Sequence, residues 1–98
     1  MAKGKRYWWG YAKSMVRRYP DNVNDDERNA VEAAVNATRS LQNGDIRLKV
    51  IDLMYFKGTH RMEGAAQMVH YSYDQVQKWH ADFIREVWKN FVKAIGIF

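Results

Sequence analysis

The residues best equipped for chemistry lie together in one short stretch: Ser72, Tyr73, Asp74, Gln75, Gln77 and Lys78. Each can donate or accept hydrogen bonds, and their types suit the edges and backbone of duplex DNA. The Gln77 amide offers the paired donor and acceptor that match adenine, and Lys78 can reach guanine or a phosphate. Tyr73 can contact a phosphate or a thymine methyl, and Asp74 can accept from cytosine. Asp74 also suits the positive dipole end of a helix. Arg61 adds a cation at the start of the preceding helical segment.

Other chemistries find less support. His60, His70 and His80 stand ten residues apart, a spacing that neither a helix nor a zinc motif uses to gather ligands. His70 and Asp74 lie about a turn apart, which suits a hydrogen bond across a helix cap better than a metal ion. The chain has no cysteine, so disulfides, thiolate metal sites and thiol nucleophiles are excluded. There is no glycine-rich phosphate loop or nucleophile elbow. No catalytic residue, cofactor or metal is therefore expected. Tyr7, Trp8, Trp9 and Tyr11 could stack on single-stranded bases, but aromatics at helical spacing are assigned to packing.

For the polar residues to face one way, a helix must carry them. Ser72 to Gln75 has the spacing of a capping box, which predicts a helix from Tyr73 to about Ala94 or Ile95. Along it Val76, Trp79, Phe83, Val87, Phe91 and Ile95 alternate steps of three and four, and His80, Ile84, Trp88 and Val92 widen the stripe. A shorter helix is predicted from about Arg61 to Val69. Ala65 and Ala66 permit a close crossing there, Val76 and Trp79 anchor it, and Met68 or Val69 fills the space between. The stretch from about 61 to 81 thus predicts a helix-turn-helix whose recognition helix starts at Tyr73. His70 stands in the turn where glycine is common because the backbone needs a positive φ, which histidine tolerates better than most side chains.

Three helices are predicted upstream. The first runs from about Arg6 to Tyr19, ended by Pro20 and Asp21. Its stripe is Trp8, Tyr11, Ala12, Met15 and Tyr19, widened by Tyr7 and Trp9, with Lys13, Arg17 and Arg18 towards solvent. The second runs from Asp25 to about Gln42, capped by Asn24, with Glu27 completing a capping box. Val31, Ala34, Val35, Thr38 and Leu41 point inward, and Asn43 and Gly44 end it. Asp45 caps the third, Ile46 to about Phe56, which is apolar around its axis and closed by Gly58. The expectation is an all-α, single small helical domain over 1–98, of about five helices, with a C-terminal helix-turn-helix and a long last helix.

Apolar residues make up 47% of the chain, too many for a disordered protein. A net charge of +5 favours a polyanionic partner. The charge is uneven: Lys3, Lys5, Arg6, Lys13, Arg17 and Arg18 precede Pro20, while Asp21, Asp25, Asp26, Glu27 and Glu32 follow it. No apolar run approaches the roughly 18 residues of a membrane helix, and no signal peptide is evident, so a soluble cytoplasmic protein without membrane contact is expected.

The chain also resembles the phage late-gene transcriptional activators of the RinA and ArpU type, whose C-terminal part looks like region four of sigma factors. Tyr7-Trp8-Trp9, Met15-Val16-Arg17, Tyr19-Pro20 and Arg47 to Leu53 carry the resemblance, together with Thr59-His60, Gly64-Ala65-Ala66, Trp79-His80 and Phe83-Ile84-Arg85. It implies activation of phage late or packaging genes in a bacterial host, through promoter DNA and contact with RNA polymerase. The join between Tyr19-Pro20 and the second helix is shorter than is usual in that family. A reading of another class is a protein-interaction or assembly module using the apolar face Trp88, Phe91, Val92 and Ile95, which could also make a homodimer.

Overall fold

The computed structural model describes residues 7–96, with the backbone alone at Tyr7. The expected helix start at Arg6, the cations Lys3 and Lys5 and the side chain of Tyr7 lie outside the described residues. Five α-helices follow one another: α1 (Tyr7–Arg18), α2 (Asp25–Arg39), α3 (Gly44–Ile51), α4 (Met62–Val69) and α5 (Tyr73–Ile95), with no strand among the described residues. The long α5 is the spine. Its Phe83, Ile84, Val87 and Phe91 enter one buried cluster with Ala12, Met15 and Val16 of α1, Ala30, Val31 and Ala34 of α2, and Ile51 and Tyr55. Its Val76 and Trp79 enter a second cluster with Val50, Leu53, Ala65 and Ala66. The α4–turn–α5 unit is thereby braced by α3, and α1 and α2 are packed against the later half of α5.

Helix starts and stops follow local chemistry with three departures from the sequence pattern. Asn24 caps α2 as expected, accepting from Glu27 N at 3.0 Å. Glu27, however, does not close a capping box: its side chain turns inward to Asn22 Nδ2 at 2.7 Å, Tyr11 Oη at 2.6 Å and Arg18 at 3.2 Å. Burial alone would push this carboxyl up, but the hydrogen bonds from Asn22 and Tyr11 and the charge of Arg18 hold it below its usual value. Burial, then the bond to Glu27, pushes the Tyr11 phenol up to about 12.

The second departure is the α2–α3 junction. α2 stops at Arg39 rather than near Gln42, and Leu41, expected inward, is 50% exposed. Gly44 is the reason. It packs so tightly that an added Cβ would meet Thr38 O at 2.5 Å and Arg39 O at 2.6 Å. The chain must turn early to allow that approach, and Asn43 enters α3 in the left-handed region at φ 59°. Asp45 is therefore not the cap; it lies in the first turn, where its charge still suits the dipole.

The third departure is at the end of α3, where Asp52–Phe56 continues as a π-helix. This wider turn places Leu53 in the second cluster and Tyr55 in the first. Tyr55 Oη and His80 Nε2 share a hydrogen bond of 2.6 Å, with the rings stacked at 5.6 Å. A neutral imidazole nitrogen accepts better than a phenol oxygen, so Tyr55 is assigned as donor. Burial, and then the nearby charge of Lys13, brings His80 down to about 4.

Candidate nucleic-acid interface

The α4–turn–α5 unit is built from small residues on one side and a capped helix on the other. Ala65 and Ala66 are buried at the crossing, opposite Val76 and Trp79, which are 0% and 4% exposed. Val69 packs into this cluster, whereas Met68, the other candidate filler, is 52% exposed. The three residues His70, Tyr71 and Ser72 make the turn. His70 adopts φ 64°, the left-handed conformation expected of it, and its N–H together with that of Tyr71 closes the end of α4 on Gln67 O and Ala66 O. Ser72 then caps α5, accepting from Gln75 N at 3.1 Å. Among the described residues the Gln75 side chain makes no return bond, so half of the capping box forms.

This geometry sorts the candidate residues. Ser72, Tyr73, Asp74, Gln77 and Lys78 are exposed within the first two turns of α5, while Gln75 is half-buried. Arg61 is exposed but stands before α4 at the end remote from the turn, so it is separated from the turn by the whole length of that helix, roughly 12 Å for eight residues. The structure therefore brings together a polar face from Ser72 to Lys78 and leaves Arg61 apart.

Two residues that support this face were missed from the sequence. The Tyr71 ring lies 4.8 Å from that of Trp79, and the Arg47 guanidinium lies 5.5 Å from the same indole. Arg47 is also held by Gln42 O at 3.0 Å and by Asp82 at 3.9 Å. Trp79 is thus fixed from the turn and from α3 together, and the start of α5 with it. No local spacing signals these contacts, since Arg47 reaches Trp79 from another helix and Tyr71 reaches it from the turn.

The polar face carries little charge of its own. On it Lys78 is balanced by Asp74. The three histidines lie on separate features: His60 bonds Thr59 at 2.8 Å, His70 is in the turn, and His80 is buried against Tyr55. Among the described residues, no group of three or more His, Asp or Glu side chains could hold a metal ion. No helix there is long and apolar enough to cross a membrane.

The apolar face at the end of α5 is taken up within the chain only in part, for Trp88 and Val92 stay half-buried and line an open hollow with Trp8. Trp88 stacks on Trp8 at 5.6 Å, and the edge of Tyr11 meets Phe91, which is 7% exposed, at 5.4 Å. Ile95, expected in the inward stripe, is 37% exposed. Comparison with protein-family models, with curated proteins and with solved structures finds no match to this chain.

Proposed function

We propose that the chain is a sequence-specific DNA-binding protein that lays the first turns of α5 in the major groove as a recognition helix. One observation carries the reading. The left-handed turn at His70 and the Ser72 cap present Tyr73, Asp74, Gln77 and Lys78 outward while Val76 and Trp79 are locked beneath. Groove readout needs such a helix, with its N-terminal side chains free and its inner face fixed by the preceding helix. Gln77 would read an adenine edge, Lys78 a guanine or phosphate, and Ser72 and Tyr73 the backbone.

The resemblance to phage late-gene activators extends this reading to transcriptional regulation, with promoter DNA as ligand and RNA polymerase as a protein partner. Selection of duplex fragments by the full chain gives the site. Titration of the selected and scrambled duplexes at several salt concentrations then tests the assignment. Gln77→Ala or Lys78→Ala should weaken the selected duplex by about 1 to 3 kcal/mol without shifting thermal unfolding. Absence of binding at low salt, or unchanged specific affinity in both variants, overturns it.

A further inference from the structure

The polar face of α5 can discriminate bases but, being charge-balanced, cannot supply the phosphate attraction on which duplex affinity depends. The charge of the chain lies elsewhere, since six cations and no acid precede Pro20. Of the three described cations on α1, Arg18 is committed to Glu27 at 3.2 Å. Lys13 and Arg17 make no ion pair among the described residues.

Their position is specific. Trp9, Lys13 and Arg17 recur every fourth residue and form one stripe along α1. At one end of the stripe the Trp9 indole meets His80 edge-on at 6.0 Å. At the other, the Arg17 guanidinium lies 5.4 Å from the Tyr55 ring, which is itself bonded to His80. The stripe therefore borders α5 at His80, three residues beyond Gln77 and so only about 4.5 Å further along the helix. Trp8 on Trp88 and Tyr11 on Phe91 fix α1 there, so little order would remain to be imposed on these cations when a ligand arrives.

We propose that Lys13 and Arg17 of α1 form a second DNA contact, holding the phosphate backbone beside the groove that α5 enters. This rests on the DNA-binding reading above. In it, α5 selects the sequence and α1 supplies affinity that is independent of sequence.

The full chain is titrated with its selected duplex and with a scrambled one across a salt series. For Lys13→Gln with Arg17→Gln, the slope of log affinity against log salt should fall by about 0.9 for each phosphate no longer neutralised, and both duplexes should weaken in the same proportion. Arg17→Lys keeps the charge and should keep the slope. Lys93→Gln, removing a cation about 22 Å along α5 from Lys78, should leave the slope alone. Where thermal unfolding shows that Arg17→Gln loosens α1, Lys13→Gln alone decides. A wild-type slope in the charge-removing variants overturns the proposal and leaves the α5 assignment standing; a wild-type chain that binds neither duplex overturns both.

Discussion

His80 Nε2 and Tyr55 Oη, 2.6 Å apart, join the π-helical end of α3 to the middle of α5 through a polar contact surrounded by apolar side chains. Each group satisfies the other, and both are neutral near pH 7, with Tyr55 pushed up to about 12 and His80 down to about 4. A buried imidazole of this kind resists acid poorly.

The unfolded chain protonates His80 near its ordinary 6.5, the folded chain only near 4. Between these values unfolding takes up a proton, so stability rises with pH across the window and levels off above it. From about pH 7.5 to about pH 5 the loss should be about 2 kcal/mol. Glu27, held below its ordinary 4.5, adds its loss only at lower pH. Urea unfolding of the wild type and of His80→Phe checks this: the variant should be less stable at neutral pH and flat across the window.

Glu27 joins α1, α2 and the turn between them through Arg18, Tyr11 and Asn22. Glu27→Ala should cost about 2 kcal/mol by leaving these partners unsatisfied. The Tyr11 phenol, now at about 12, should also return towards its ordinary 10.0 in a spectrophotometric titration. An unmoved Tyr11 titration would separate the phenol from the carboxylate.

At His70 the backbone, not the ring, sets what is tolerated. With φ at 64°, His70→Val should destabilise the chain by about 1 to 2 kcal/mol. His70→Gly and His70→Asn should change denaturant midpoints little. Equal stability of the Val and Gly variants would be the contrary result.

Gly44→Ala tests the α2–α3 junction, since the new methyl would sit 2.5 Å from Thr38 O. Backbone cannot yield as a flexible side chain does, so a loss of about 1 to 3 kcal/mol is expected in thermal unfolding. Gly10→Ala is the comparison, because nothing lies within 4 Å of a Cβ there.

Trp79→Ala should cost about 3 to 5 kcal/mol, the range for emptying a buried aromatic site. Removing the guanidinium above it with Arg47→Met should cost less, about 1 kcal/mol. Both are read by urea denaturation, and an equal loss in the two would contradict the burial of the indole.

What was legible in the sequence was local. Ser72 three residues before Gln75, Asn24 three before Glu27, and the paired alanines at 65 and 66 each act within a turn or two, so spacing revealed them. Glu27 shows the limit: its spacing predicted a capping box that does not close, because its carboxylate turns to Tyr11, 16 residues earlier on another helix. The early end of α2 was hidden for the same reason, because the tight fit of Gly44 depends on where α3 lands. The π-helix at Asp52–Phe56 serves two clusters at once, and no single period of hydrophobic residues encodes that. The exposed face of α5 was readable because Val76 and Trp79 are buried by the neighbours their spacing implied, whereas Tyr71 and Arg47 reach Trp79 only through the fold.

Because α5 passes through both hydrophobic clusters, neither half of the protein has a core of its own to fall back on. Opening α3 and α4 would strip Val76 and Trp79, and lifting α1 and α2 would strip Phe83 to Phe91, from the same continuous rod. The chain should therefore melt as one cooperative unit, with the amides around Trp79 to Ile84 the last to exchange with solvent.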